Sequence, residues 1–154
     1  MAANTHAFQP AAPLAADGAA LTYVLDRAGV TKTSLIRVTG FAGPTAVLWL
    51  NEHGYARAAY VHARWISAME PVDALLIPHT CTAEALSKLL DGGGGLREGG
   101  ALIVQSVSRG DDRGSDSLPS VLRPLGFTVE TRIHDKGRNV YIARRVGFGF
   151  NKAA

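Results

Sequence analysis

Two short segments of this 154-residue sequence combine residue types suited to chemistry. The first is Gly40-Phe41-Ala42-Gly43-Pro44, a glycine turn between a β-branched stretch and a helical one. Glycines at such a turn let the main chain approach a bound molecule closely, and the helix start that follows supplies backbone N–H groups with no internal partner. The second is Pro78-His79-Thr80-Cys81, which follows an apolar run. If that run is a strand, the segment lies at the carboxyl end of the sheet, where open α/β folds bind ligands. His79 is then the candidate general base and Cys81 a candidate nucleophile. The competing reading makes Cys81 a small buried hydrophobe. A third glycine run, residues 92–95, lacks the Lys-Ser/Thr of a phosphate-cradling loop and reads as a helix end. With a single cysteine the sequence offers no structural zinc set, and no metal site is expected.

Hydrophobic periodicity supplies the elements that would position these residues. Leu21, Val24, Leu25 and Ala28 share one helical face, Asp17 is a natural N-cap and Gly29 a stop. Residues 34–39 (SLIRVT) read as a short strand, the glycine turn follows, and residues 45–52 resume helical character. Residues 57–63 (RAAYVHA) form a second strand candidate. Residues 72–77 (VDALLI) and 101–107 (ALIVQSV) are apolar enough to be buried on both faces, as parallel strands are. Thr82 caps a helix over residues 82–90, and residues 118–125 form a short helix with Pro119 in its first turn and Gly126 at its end. Residues 127–134 and 139–145 flank Asp135-Lys136-Gly137 as an antiparallel hairpin. Strands alternating with helices before a terminal hairpin specify an α/β fold of about six strands, mostly parallel.

A chain of this length holds one ordinary domain. The expected division is a tail over residues 1–17, a domain over residues 18–147 and a second tail over residues 148–154. Hydrophobic residues make up 47% and charged residues 19%, which excludes general disorder. No apolar run reaches the roughly 18 residues of a membrane span. The alanine-rich amino terminus has no Lys or Arg before its apolar part and does not read as a signal peptide. One cysteine and no Asn-x-Ser/Thr site favour a cytoplasmic setting. The net charge of +3 is uneven, because residues 97–154 hold ten Lys/Arg against six Asp/Glu. The cations Arg132, Lys136, Arg138, Arg144, Arg145 and Lys152 would attract an anionic ligand or nucleic acid. Strand alternation sends Arg144 and Arg145 to opposite faces and few aromatic residues intervene, so a solvated face is favoured over a binding stripe.

From residue 34 to residue 145 the sequence resembles the class I S-adenosylmethionine (SAM) dependent methyltransferases, which are built on a Rossmann-like three-layer sandwich. The resemblance rests on Asp73-Ala-Leu-Leu-Ile77, the Leu96-Arg-Glu-Gly-Gly100 turn before a buried strand, Leu125-Gly126-Phe127 entering the hairpin, and Tyr141-Ile-Ala-Arg-Arg145 closing it. It implies that Gly40, Phe41, Ala42 and Gly43 border the cofactor, with His62 near its ribose hydroxyls. It also implies that the loop holding His79 faces the methyl acceptor. The sequence departs from the family where the cofactor would be gripped. Ala42 and Pro44 stand where further glycines are usual, no Asp or Glu occurs in residues 34–44, and His62 or Arg64 stands near the usual acid of the second strand. A neutral histidine makes one hydrogen bond where a carboxylate holds two hydroxyls.

Chain length carries a further consequence. Only 32 residues separate Thr39 from Val72, too few for the family's helix, second strand, further helix, third strand and adenine-covering loop. The usual third strand is therefore expected to be missing, leaving residues 57–63 at a sheet edge open to self-association or to a protein partner. Arg57, Tyr60, His62 and Trp65 are the expected interface residues. Two functions compete on these grounds. One is a non-catalytic, methyltransferase-like binding or regulatory module, a pseudoenzyme acting as a homodimer or with a protein partner. The other is a SAM-dependent methyltransferase with a reduced cofactor site, which catalysis by positioning would permit.

Overall fold

Local chemistry starts the first helix as expected. In the computed structural model, which describes residues 13–68, 70–79, 82–106, 118–135 and 137–146, Asp17 accepts a hydrogen bond from the Ala20 N–H at 3.1 Å and caps helix α1 (Gly18–Arg27). Strand β1 (Ile36–Val38) leads through the glycine turn into α2 (Gly43–Glu52), and then to β2 (Ala58–Tyr60). A 3-10 turn over Ala63–Ala68 connects to β3 (Val72–Ile77). Thr82 caps α3 (Ala83–Leu89) by accepting from the Ala85 N–H at 3.1 Å. Strand β4 (Leu96–Gln105), α4 (Leu118–Leu122), β5 (Phe127–Asp135) and β6 (Arg138–Arg145) complete the chain.

The six strands form one sheet in the order β2-β1-β3-β4-β6-β5. Pairs β1–β2, β1–β3 and β3–β4 are parallel, while β6 runs antiparallel to both β4 and β5. Strand alternation splits the core in two. Val38, Leu76, Ile103 and Ile142 meet Leu21, Leu25 and Leu50 of α1 and α2 on one face. On the other, Leu75, Leu102, Val104 and Tyr141 meet Leu86, Leu118 and Leu122 of α3 and α4. Full burial of each such aliphatic side chain contributes about 2 kcal/mol. The result is the expected three-layer α/β sandwich with a C-terminal antiparallel hairpin. Among the described residues the third strand of the resembled family is missing, so β2 is an edge.

Several boundaries move. The strand expected over residues 57–63 shortens to Ala58–Tyr60, because the chain turns at Ala63 and the Trp65 N–H bonds back to the His62 carbonyl. Strand β4 begins five residues before the expected position, with Val72 opposite Leu96. Part of the expected amino-terminal tail is structured. Leu14–Ala16 forms a 3-10 turn in which Leu14 is fully buried, and the Leu14 N–H bonds to the Gln105 side-chain oxygen at 2.8 Å and to the Pro78 carbonyl at 3.0 Å. This strap thus lies against the carboxyl ends of β3 and β4. Residues 1–12 and 147–154, which include most of both expected tails and Lys152, lie outside the described residues, as do Lys136 and the polar stretch 107–117.

Three basic residues of the carboxyl-terminal third, Arg138, Arg144 and Arg145, serve internal contacts. Arg138 is buried, at 3% exposure, rather than solvated; its guanidinium donates to Asp17 at 2.8 Å and to the Pro13 carbonyl. Arg144 pairs with Glu130 at 3.1 Å and donates to the Ala28 carbonyl, while Arg145 donates to the Leu96 carbonyl. Among the described residues, no helix is long and apolar enough to cross a membrane.

Candidate functional site: the carboxyl end of the parallel strands

The chain leaves β1 outward to β2 and then returns past β1 to β3, so the topological switch point lies between β1 and β3. A ligand crevice belongs at their carboxyl ends. Thr39 follows β1, and its N–H bonds to the Leu76 carbonyl of β3 at 3.1 Å. Gly40 then adopts φ +99°, a left-handed conformation that a β-carbon would strain by about 1–2 kcal/mol. The Gly43 N–H closes this turn on the Gly40 carbonyl at 3.0 Å, and α2 begins.

That helix start is poorly equipped to hold an anion or a polar ligand. Ala42 occupies the cap position with no side-chain hydrogen bond. The Gly43 N–H is spent on Gly40, and Pro44, next in the helix, has no N–H. Two of the donors that a helix start normally offers are therefore withdrawn.

Gly43 is explained by packing. A β-carbon there would stand 2.7 Å from both Cδ1 and Cε1 of Tyr60, so the tyrosine ring of β2 sits directly on this glycine. Across the crevice the Phe41 ring meets the His79 imidazole, with centroids 5.5 Å apart and planes inclined by 54°. Phe41 remains 84% exposed. These two aromatic contacts bring together four of the residues singled out in the sequence, Phe41, Gly43, Tyr60 and His79. His62 is also exposed at the end of β2, but its Nδ1 accepts from the Arg64 N–H at 3.2 Å and stabilises the local turn. Cys81 lies outside the described residues, so its relation to His79 is not described.

Sequence reasoning missed two features of this region. One is the Tyr60–Gly43 contact, for which the small residue opposite an edge aromatic was the available signal. The other is Thr39, which is 1% exposed and whose hydroxyl has no hydrogen-bond partner among the described residues. A buried hydroxyl without a partner costs about 1–3 kcal/mol. Thr39→Val is therefore expected to raise stability by about 1 kcal/mol in urea denaturation. A loss of stability would show that the hydroxyl is satisfied in solution. Among the described residues, no three His, Cys, Asp or Glu side chains are grouped as a metal site would require.

No protein-family model matches the sequence, and no curated protein matches it. Solved structures do match the fold. Magnesium protoporphyrin IX methyltransferase from Synechocystis PCC 6803, solved with bound SAH, superposes with a TM-score of 0.57 at 13% identity, over 85% of this chain and 83% of that one. A ribosomal protein L11 methylase from Lactobacillus delbrueckii subsp. bulgaricus gives 0.59 at 13% identity, over 87% and 78%. A SAM-dependent methyltransferase from Aquifex aeolicus gives 0.59 at 11% identity, over 84% and 90%. The chain thus has the Rossmann-like fold of the class I SAM-dependent methyltransferases. At these identities the likeness defines architecture, and activity has to be argued from the site.

Proposed function

We propose that this chain is a methyltransferase-like binding module that acts by macromolecular contact rather than by methyl transfer. The observation that carries the reading is the Tyr60 ring seated on Gly43, the glycine that the family resemblance would assign to cofactor approach. The residues around it do not fit intact SAM. Neither the glycine turn nor the end of β2 presents a carboxylate for ribose hydroxyls, and the described residues between β2 and β3 hold a 3-10 turn where an adenine-covering loop would stand. The Phe41–His79 contact spans the crevice between the two strand ends. The amino-terminal strap, bonded to Pro78 and Gln105, lies at the carboxyl ends of β3 and β4.

Calorimetry and thermal-shift titration of the whole chain with SAM and its demethylated product test this reading. No saturable heat is expected up to about 1 mM; a site with a Kd near 10 μM would instead stabilise the protein by about 2.7 kcal/mol at that concentration. Saturable binding of either compound would overturn the proposal. It would favour the second reading, a methyltransferase with a reduced cofactor site in which Gly40 and His79 border the reacting groups. His79 is the observation behind that alternative, since it stands half-exposed just past the end of β3. A role for the carboxyl-terminal arginines in binding nucleic acid is less well supported, because Arg138, Arg144 and Arg145 serve internal contacts.

A further inference from the structure

Strand β2 is an edge whose outward groups can be identified from its pairing. The Ile36 N–H bonds to the Arg57 carbonyl, and the Val61 N–H bonds to the Val38 carbonyl. In a parallel ladder this turns the main-chain groups of residues 57, 59 and 61 toward β1. The carbonyl of Ala58 and both the N–H and the carbonyl of Tyr60 therefore point away from the sheet. Among the described residues β1 is the one strand beside β2, and none pairs with its outer side.

The edge segment itself carries charge of one sign, with Glu70 beside Val61 and Ile66 as a nearby acid. Residues 55–66 contain Arg57 and Arg64 and no Asp or Glu. Both arginines are exposed, and neither is held by a carboxylate among the described residues. Arg57 donates to the Thr33 carbonyl at 3.2 Å, and Arg64 stands over the ring of Trp65, itself 57% exposed. Past His62 the edge leads to a groove of about 630 Å³ between the 63–68 turn and α3. Its walls include Arg64, Lys88 and Leu89, with Asp91 as the one acid.

We infer that the open edge of β2 takes an extended, acidic peptide strand from a partner protein, with an adjacent apolar side chain of that strand entering the Arg64–Lys88 groove. Main-chain pairing at an edge supplies affinity in this mode, and flanking side chains supply selectivity. The same charges argue against a second copy of this chain. Two β2 strands paired about a two-fold axis would gather Arg57 and Arg64 of both copies along one seam to which residues 55–66 bring no acid, and such a gathering of like charge disfavours the pairing. A short basic edge thus resists self-pairing and admits only a complementary strand.

This inference rests on the contact-module reading, and its test separates the two. The whole chain is titrated into a fluorescein-labelled, end-blocked octapeptide of alternating glutamate and valine carrying one leucine, with a lysine-for-glutamate peptide as control. Anisotropy should show saturable binding of the acidic peptide alone, about fivefold or more weaker at 500 mM than at 50 mM salt. Arg57→Glu with Arg64→Glu should weaken binding about tenfold or more, with the melting temperature unchanged. Tyr60→Pro removes the ring and an outward N–H, whose loss an edge strand tolerates; it should abolish binding, whereas Tyr60→Ala, which removes the ring and keeps the N–H, retains it. Equal binding of the lysine peptide, binding unaffected by either arginine reversal or Tyr60→Pro, or a failure to bind would overturn the assignment. A dimer in sedimentation velocity that Tyr60→Pro dissolves would also overturn it, in favour of self-pairing. SAM is titrated into the same samples. If SAM binds, the contact-module reading fails whatever the peptide does; if neither binds, only the peptide assignment fails.

Discussion

Arg138→Ala is expected to destabilise the protein by about 3 kcal/mol, lowering Tm by about 6–12 °C. The guanidinium is 3% exposed and reaches Asp17, 121 positions earlier in the chain, at 2.8 Å. Removing it strips the cation from a carboxylate that is itself only 20% exposed and leaves the space unfilled. Because Asp17 retains some contact with water, the lower end of the range for broken buried pairs applies. The consequence extends past one ion pair, since Asp17 also caps α1 and Arg138 donates to the Pro13 carbonyl of the strap. Asp17→Asn keeps an oxygen for the Ala20 N–H and should cost less, about 1 kcal/mol. Urea denaturation of both variants checks the ranking. Equal costs would mean that the Asp17 charge, and not the packing and other hydrogen bonds of the Arg138 side chain, fastens the strap to the hairpin.

Gly43→Val is expected to cost about 2–3 kcal/mol, the usual penalty for forcing atoms into a filled space. The added β-carbon would meet the Tyr60 ring at 2.7 Å, and the branched methyls would extend the clash. Pairing the substitution with Tyr60→Ala should recover about 2 kcal/mol of that cost, because the two side chains compete for one volume. The double-mutant cycle also separates two meanings of a glycine. If Gly43 exists for the tyrosine, the coupling is large and favourable. If the full cost persists without the ring, the glycine answers to the backbone or to a ligand, and the contact-module reading loses its main support.

These two sites differ in how far the sequence reveals them. Asp17 and Thr82 were legible as caps because a capping oxygen acts within three residues, and both accept the expected N–H. The apolar spacing of Leu21, Val24 and Leu25 likewise marked the buried face of α1. The sequence places Arg138 on a solvated face, because its partner is remote in the chain. The shortening of β2 was also hidden. Residues 57–63 have strand character throughout, and only the turn at Ala63, packed through Ile66 into the second core, ends the strand early.

From the sequence alone came the α/β order, the terminal hairpin and the absence of a third strand, since periodicity, turn chemistry and the count of residues between Thr39 and Val72 are properties of adjacent positions. Only the tertiary structure decided that Tyr60 rests on Gly43, that Leu14 is bonded to Gln105 and Pro78, and that Arg138 turns inward. Contacts of that kind join residues 17 to 121 positions apart, and their partners are chosen by the volume and charge that the packed sheet leaves available.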